Sequence, residues 1–339
     1  MKAAIYYGPT DIVLGNVEVP PVGKDNLLVK VEAAGICGTD LKTYMRGHHL
    51  FKPPCILGHE FCGRIVEVGA NVKGFNVNDR IAAAPYVPCG KCFYCIKGEM
   101  ELCNSQKTLN GVFAEYVQIP KGVVEKGMIL VPEHVSSRDA ALVEPLACCI
   151  NALEDCNIAC GDAILIVGGG PMGLLLLQLC KASGAGKIIV SEPVAKRRKA
   201  AQDMGALVVN PFEEDLDRVV KEQTEGRGAD VVLVCLAVPE VIAQTLSLSR
   251  KGGVVNIFGG MPKGTLVDID LNIIHYGQVR LLGSFGFAPK HFKSAMTLIS
   301  HGVIKLDRIV SHCFPFSEIV RVFRDYDGQE MLKVIIDMN

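Results

Sequence analysis

The 339-residue chain contains no tryptophan, and aromatic residues make up only 6% of it. Charge of neither sign prevails: 35 Lys and Arg stand against 36 Asp and Glu, a formal net charge of -1. Without a basic stripe interleaved with aromatics, there is no platform for stacked bases and no long-range field to draw in a polyanion or an anionic membrane. Neither nucleic acid nor a membrane is therefore expected as a partner. Hydrophobic residues reach 49%, yet Gly, Pro or charge interrupts every apolar stretch well short of the roughly 20 residues that span a bilayer. The opening MKAAIYYGPTDIV also lacks the basic, apolar and small-residue succession of a secretory signal. A cytoplasmic chain is expected. In that setting 14 cysteines point to metal ligation or simple burial rather than to a disulfide framework, and only their positions separate the two.

The length exceeds the usual range of one domain, so two domains are expected. The N-terminal part reads as short strands and turns, among them AAIYY, LLVKVEAAGIC, Gly63 to Val68, Arg80 to Ala84 and Phe113 to Ile119. A patch rich in Gly, Pro and Cys, Pro85 to Asn104, interrupts them with almost no periodicity. Something other than a hydrophobic core must hold it. After an apolar helical stretch from Ala140 to Leu153, strands alternate with helices: AILIV, KIIVSEP, LVVN, ADVVLVCLA, GGVVNIFG and VRLLGSF, with charged or apolar helices between them. That alternation predicts a doubly wound parallel sheet, the architecture of a nucleotide-binding domain. The tail after Phe285 reads as two helices separated by a Pro-containing turn, then a last strand KVIIDM that returns to the first domain. The expected domains are thus 1–150 completed by 286–339, and 151–285.

Cys89, Cys92, Cys95 and Cys103 form two overlapping Cys-x-x-Cys steps and a fourth thiol a short loop away. Four thiolates close a tetrahedral shell around Zn²⁺ with no open position, the mark of a structural site. The competing readings are free thiols or a redox pair, but buried cysteine needs no regular spacing and a redox pair needs only two residues. A second set of ligand types is dispersed: Cys37 in GICGTD, His59 and Glu60 in LGHEF, and Glu144 in VEPLA. A catalytic zinc takes about three protein ligands and keeps a position open for substrate. Any one of these residues alone is more readily explained by packing; their joint occurrence upstream of a nucleotide-binding unit favours the metal.

Gly168, Gly170 and Gly173 follow the strand AILIV and open the helix that begins with Pro171 and Met172. This is the context in which a glycine turn admits a pyrophosphate to backbone N–H groups at the positive end of a helix. Glu192 ends the next strand, where an acid accepts from the adenosine ribose and repels a 2'-phosphate, so NAD is favoured over NADP. The basic run Lys196, Arg197 and Arg198 is either a solvated helix face or an offset to that repulsion. Topology alone places Val234 to Ala237 and Phe258 to Gly260 along the nicotinamide.

With these features in order, the chain resembles the zinc-containing medium-chain dehydrogenases over essentially its full length, and within them the sorbitol (polyol) and threonine dehydrogenase branch. GICGTD at 35–40, GHE at 58–60, the four-cysteine lobe, EPL at 144–146 and GGGPMG at 168–173 carry the resemblance. It implies a GroES-like β-rich catalytic domain beside a Rossmann coenzyme domain, with one catalytic and one structural zinc and NAD as cofactor. It further implies a homodimer or homotetramer that oxidises a secondary alcohol, such as a polyol, to a ketone. Cys37, His59 and a carboxylate, Glu60 or Glu144, become the catalytic zinc ligands, and Thr39 the hydroxyl that passes the alcohol proton outward. A plainer role for Thr39 is capping the following helix, and Asp40 reads as structural. Lys42 stands where many relatives have a relay histidine. Sorbitol dehydrogenases have an Arg-Tyr pair after Gly-Ser-Phe, where this chain has Gly286 and Phe287, so a guanidinium fork suited to several hydroxyls is missing. The rival substrates are threonine, a butanediol or a sugar phosphate; Lys42, Arg46, His48 and His49 favour an anionic group. A redox-sensing binding protein built around the zinc lobe is the rival from another class.

Overall fold

The computed structural model describes residues 1–338, and the chain divides into two compact units, Met1–Ala147 with Phe287–Asn339, and Cys148–Gly286. Among the described residues no helix is long and apolar enough to cross a membrane.

In the first unit the ten-residue strand Leu27–Ile36 is the organising element. It runs antiparallel to Glu60–Val68 on one side and to the C-terminal strand Lys333–Asp337 on the other. Tyr116–Ile119 pairs with its first half. Leu27, Val29, Val31, Ile65, Ile81 and Ile335 are fully buried along these strands, which is why the β-branched and aliphatic run in the sequence forms sheet here. The register sets Gly35 opposite Glu60 on one neighbour and opposite Ile335 on the other. The two strands farthest apart in sequence are thereby fastened to the same few residues.

The tail differs from its sequence reading in one respect. Between the helix Pro289–Ser300 and the short helix Ile319–Arg324 lies a strand, Val310–Pro315, parallel to Lys333–Asp337. Its residues VSHCFP are half-buried or exposed, so it carries no apolar alternation by which a sequence would reveal it.

The second unit is a six-stranded parallel sheet. In spatial order its strands are Leu207–Val209, Lys187–Ser191, Ala163–Val167, Ala229–Val234, Ser249–Ile257 and Arg280–Gly283. The first two strands to form in the chain lie side by side and the fourth pairs on the far side of the first, so the direction of winding reverses beside Ala163–Val167. Ligands of open α/β sheets bind at the carboxyl ends of the strands at such a reversal. The interior is almost wholly aliphatic: Leu165, Val167, Ile189, Val232, Val234 and Val255 pack against Val219, Val220, Ile242 and Leu246 from the covering helices. Burial on both faces explains why these strands read as continuous apolar runs.

Candidate metal and nucleotide sites

Three of the dispersed ligand-type residues meet at the Gly35–Glu60 pairing. One ligand atom each from Cys37, His59 and Glu60 lies within 4.8 Å of the others. Cys37 immediately follows the central strand, and His59 immediately precedes the strand that begins with Glu60, so the antiparallel register brings them together. Cys37 is also the N-cap of the helix Gly38–Arg46. Its sulfur accepts from the Thr39 N–H at 3.5 Å, and its own N–H donates to Asp40 Oδ2 at 2.9 Å. The capping role anticipated for Thr39 therefore belongs to Cys37. Thr39 sits half-buried on the first turn with its hydroxyl not used as a cap.

Asp40 is fully buried; it accepts from the Gly58 N–H at 3.2 Å and lies 3.7 Å from His59 Nδ1. Burial works against a charge on His59, but the nearby Asp40 carboxylate, the Cys37 sulfur and Glu144 outweigh it and hold the imidazole pKa well above its ordinary value. A cluster so rich in negative donors attracts a cation.

Glu60 is 1% exposed and faces a lysine that no sequence motif singled out. Lys333 Nζ donates to Glu60 Oε1 at 2.7 Å and to the Ile36 carbonyl at 3.0 Å. Burial opposes the Lys333 charge, while Glu60, Cys37 and Glu144 raise its pKa. Glu60 Oε2 is buried too and lies 2.5 Å from the same ammonium, so both carboxylate oxygens face Lys333. A Cβ at Gly35 would lie 2.1 Å from that oxygen, so a larger residue there would push the carboxylate from its place against Lys333. Glu144, on the first turn of the helix Val143–Cys156, is largely buried and falls outside the three-residue group, although its charge acts on both His59 and Lys333. One thiolate, one imidazole and one carboxylate suit zinc with an open fourth position.

Lys333→Met is expected to destabilise the fold by about 3–5 kcal/mol, because it strands a buried carboxylate. Lys333→Arg should recover most of that loss. Denaturant melts of both variants check this, and a Met variant as stable as the parent would show that Glu60 does not depend on the ammonium.

The four lobe cysteines also converge within 4.8 Å. Cys92 lies 3.5 Å from Cys95 and 3.7 Å from Cys103, and Cys89 lies 4.0 Å from Cys95, sulfur to sulfur. A tetrahedral Zn–S shell of about 2.3 Å bonds requires sulfurs roughly 3.8 Å apart, so the set fits zinc. Backbone N–H groups of Cys89, Gly90, Lys91 and Ser105 point at these sulfurs. The Cys95 and Asn104 N–H groups pull the Cys92 thiol down to about 6, whereas burial pushes Cys95 up to about 11. Zinc binding would displace the Cys95 proton. The lobe has hardly any core of its own: Phe93 and Ile96 are 66% and 77% exposed.

In the second unit Gly170 is the N-cap of the helix Pro171–Ala182, with Pro171 in its first turn. Gly173 is required by packing, since a Cβ there would meet the Gly168 carbonyl at 1.9 Å. Glu192 follows the strand Lys187–Ser191 and is buried. Its Oε2 accepts from the Gly169 N–H at 2.7 Å and its Oε1 from the Val194 N–H at 2.9 Å. Arg197 lies 3.6 Å from the same carboxylate, and Arg198 donates to the Glu192 carbonyl, so this part of the basic run is tied to the turn rather than simply solvated. Met172 turns its carbonyl to Cys149. Val234 to Ala237 and Phe258 to Gly260 stand at the carboxyl ends of their strands. Phe287 is packed away: it is 2% exposed, with ring centroids 4.8 Å from Tyr86 and 5.6 Å from Phe292.

Comparison with known proteins agrees with this construction. Residues 23–132 match the alcohol dehydrogenase GroES-like domain, and residues 171–301 match the zinc-binding dehydrogenase domain. The chain is 36% identical to L-threonine 3-dehydrogenase of Pyrococcus furiosus over 92% of this chain and 90% of that one. It is 35% identical to D-arabitol-phosphate dehydrogenase of Enterococcus avium, over 96% and 93%. Its fold matches a zinc-binding dehydrogenase of Sinorhizobium meliloti 1021, solved bound to NADP, with a TM-score of 0.92 and 35% identity over 99% of both chains. The chain belongs to the zinc-binding alcohol dehydrogenase family. It is a zinc- and nicotinamide-dependent oxidoreductase with a GroES-like domain and a Rossmann-type domain, as its motifs led one to expect.

Proposed function

We propose that this enzyme oxidises a secondary alcohol of the polyol or sugar-alcohol class to a ketone, with NAD as hydride acceptor, at the Cys37–His59–Glu60 site. The convergence of those three side chains, a thiol, an imidazole and a carboxylate, carries the reading. The sugar-alcohol derivative named as substrate in the Enterococcus relative supports the class. When bound, zinc supplies Lewis acidity toward the alcohol oxygen and NAD takes up two electrons with the hydride.

The chain's own groups do the rest. Cys37 and His59 hold the metal, and Glu60 is its third ligand, with its charge balanced by Lys333 from behind. Asp40 orients His59 and ties the start of the helix. Glu144, close enough to be felt electrostatically, is the alternative carboxylate. Thr39, one turn into the same helix, takes the alcohol proton and passes it toward solvent. In the second unit Gly168 to Gly173 leave backbone N–H groups at a helix start open to the pyrophosphate. Glu192, buried and held by two N–H donors, accepts from the ribose hydroxyls, with Arg197 beside it. Cys89, Cys92, Cys95 and Cys103 hold the structural zinc.

Glu192→Ala is expected to weaken NAD roughly ten- to hundredfold, the worth of a charge-assisted hydrogen bond, and to raise relative use of NADP. Unchanged cofactor preference in steady-state kinetics would remove Glu192 from the ribose. The function itself is tested by following reduced nicotinamide with the zinc-loaded enzyme across sugar alcohols, inositols, threonine, butanediols and polyol phosphates. Turnover of the polyols with NAD is expected; activity confined to threonine or butanediol would discard the substrate class and keep the chemistry. The reading includes a cytoplasmic homodimer or homotetramer. The 14 cysteines, none of them in a disulfide, suit a reducing compartment, and sedimentation would count the subunits.

A further inference from the structure

The helix that begins at Cys37 continues into a cluster of cations that the chemistry above leaves unused. Thr39, Lys42 and Arg46 are spaced i, i+3 and i+7, so they share one face of the helix Gly38–Arg46. Lys42 lies roughly 4.5 Å, and Arg46 roughly 10.5 Å, along the axis from Thr39. Both are exposed. Just past the Gly47 C-cap, half-buried His48 stacks on exposed His49 with centroids 4.5 Å apart. The Leu50 N–H donates to His48 Nδ1 at 3.3 Å. A neutral His48 therefore carries its proton on Nε2, as a donor.

No carboxylate near them in the sequence balances these charges. From Leu41 to Ile56 the sequence holds no Asp or Glu. Asp40 is buried and spent on Cys37, Gly58 and His59. Among the described residues Lys42, Arg46 and His49 enter no ion pair. The groups are near enough to feel one another: burial first, and then repulsion from His49, Arg46 and Lys42, holds His48 below its ordinary pKa. A cation in the last turn of a helix complements the helix dipole. That accounts for Arg46 but not for Lys42 or for the two histidines beyond the cap.

We propose that Lys42, Arg46, His48 and His49 bind the anionic end of the substrate, a phosphate monoester carried several carbons from the alcohol being oxidised. A dianion with three acceptor oxygens matches two fixed cations and two imidazole donors. A carboxylate adjacent to the reacting carbon would remain near Thr39, short of Arg46. The proposal rests on the dehydrogenase reading of the Cys37 site, because Thr39 is the reference point from which the spacing is measured.

Two measurements test it. The first needs no turnover: inorganic phosphate is titrated into the zinc-loaded protein with ¹³C-labelled histidine, against chloride at equal ionic strength. His48 and His49 resonances should move with phosphate, and Arg46→Ala should weaken that binding roughly tenfold. No phosphate-specific movement, or the same affinity in the variant, overturns the proposal. The second compares pentitol and hexitol monophosphates with the same alditols lacking phosphate. The esters should be favoured at least tenfold in kcat/KM. Arg46→Ala and His48→Asn should remove about ten- to hundredfold of that through KM, with parent alditols changed less than about twofold. Equal use of ester and alditol, or equal loss on both, also overturns it. Phosphate binding with no turnover of any alcohol would overturn the polyol reading and leave the anion site standing.

Discussion

Cys37→Ser is expected to lower turnover about a thousandfold or more, with melting temperature and NADH binding close to those of the parent enzyme. Lewis-acid activation contributes several kcal/mol, and each 1.36 kcal/mol is tenfold in rate. A serine hydroxyl stays protonated where a thiolate forms, so the metal loses a charged ligand. The fold should survive because Cys37 is a helix N-cap whose sulfur accepts from the Thr39 N–H, and serine is among the preferred residues for that position. The sheet register beneath it is set by backbone pairing of Gly35 with Glu60 and Ile335, which the substitution does not touch. Kinetics, zinc stoichiometry and a melting curve on the same preparation separate the effects. Unimpaired turnover would remove Cys37 from the metal; a collapsed melting curve would mean that its main role is the cap.

Cys95→Ser should do the reverse, damaging structure before chemistry. The whole metal site contributes on the order of 10 kcal/mol to ordering its lobe, by analogy with zinc-finger peptides. Little else holds the segment: the helix Phe93–Lys97 is only five residues long, and Phe93, Ile96 and Leu102 stand exposed. Loss of one of four thiolates should lower the zinc content by one ion per chain and make the segment a site of early proteolysis. Full metal content with a normal melting curve would rule out the lobe as a zinc site.

How much could be read beforehand depended on distance along the chain. The four lobe cysteines span 15 residues, and their spacing alone announces a closed shell. The glycine turn was legible for the same reason, because strand, turn and helix are consecutive and each glycine answers a local need, Gly173 beneath the Gly168 carbonyl among them. The catalytic cluster was legible only as a set of candidates. Cys37, His59, Glu60 and Glu144 carry the right chemistry, but nothing in the sequence says that three of them meet and the fourth stands apart. The capping role of Cys37 escaped because a cysteine sulfur is an unusual cap and Thr39 the more familiar one. Lys333 escaped altogether: it opens an ordinary apolar strand, 273 residues from Glu60. The strand Val310–Pro315 went unread because it buries too little to show a pattern.

By itself the sequence determined the class of protein, since ligand type, cysteine spacing, the glycine turn and the alternation of apolar runs are local properties that the backbone must honour wherever it folds. Only the tertiary structure decided which carboxylate joins Cys37 and His59, and that a buried ammonium from the far end of the chain balances it. Those outcomes depend on strand register and long-range pairing. Their energies, the desolvation of a charge and the arrival of its partner, do not exist until both are buried together.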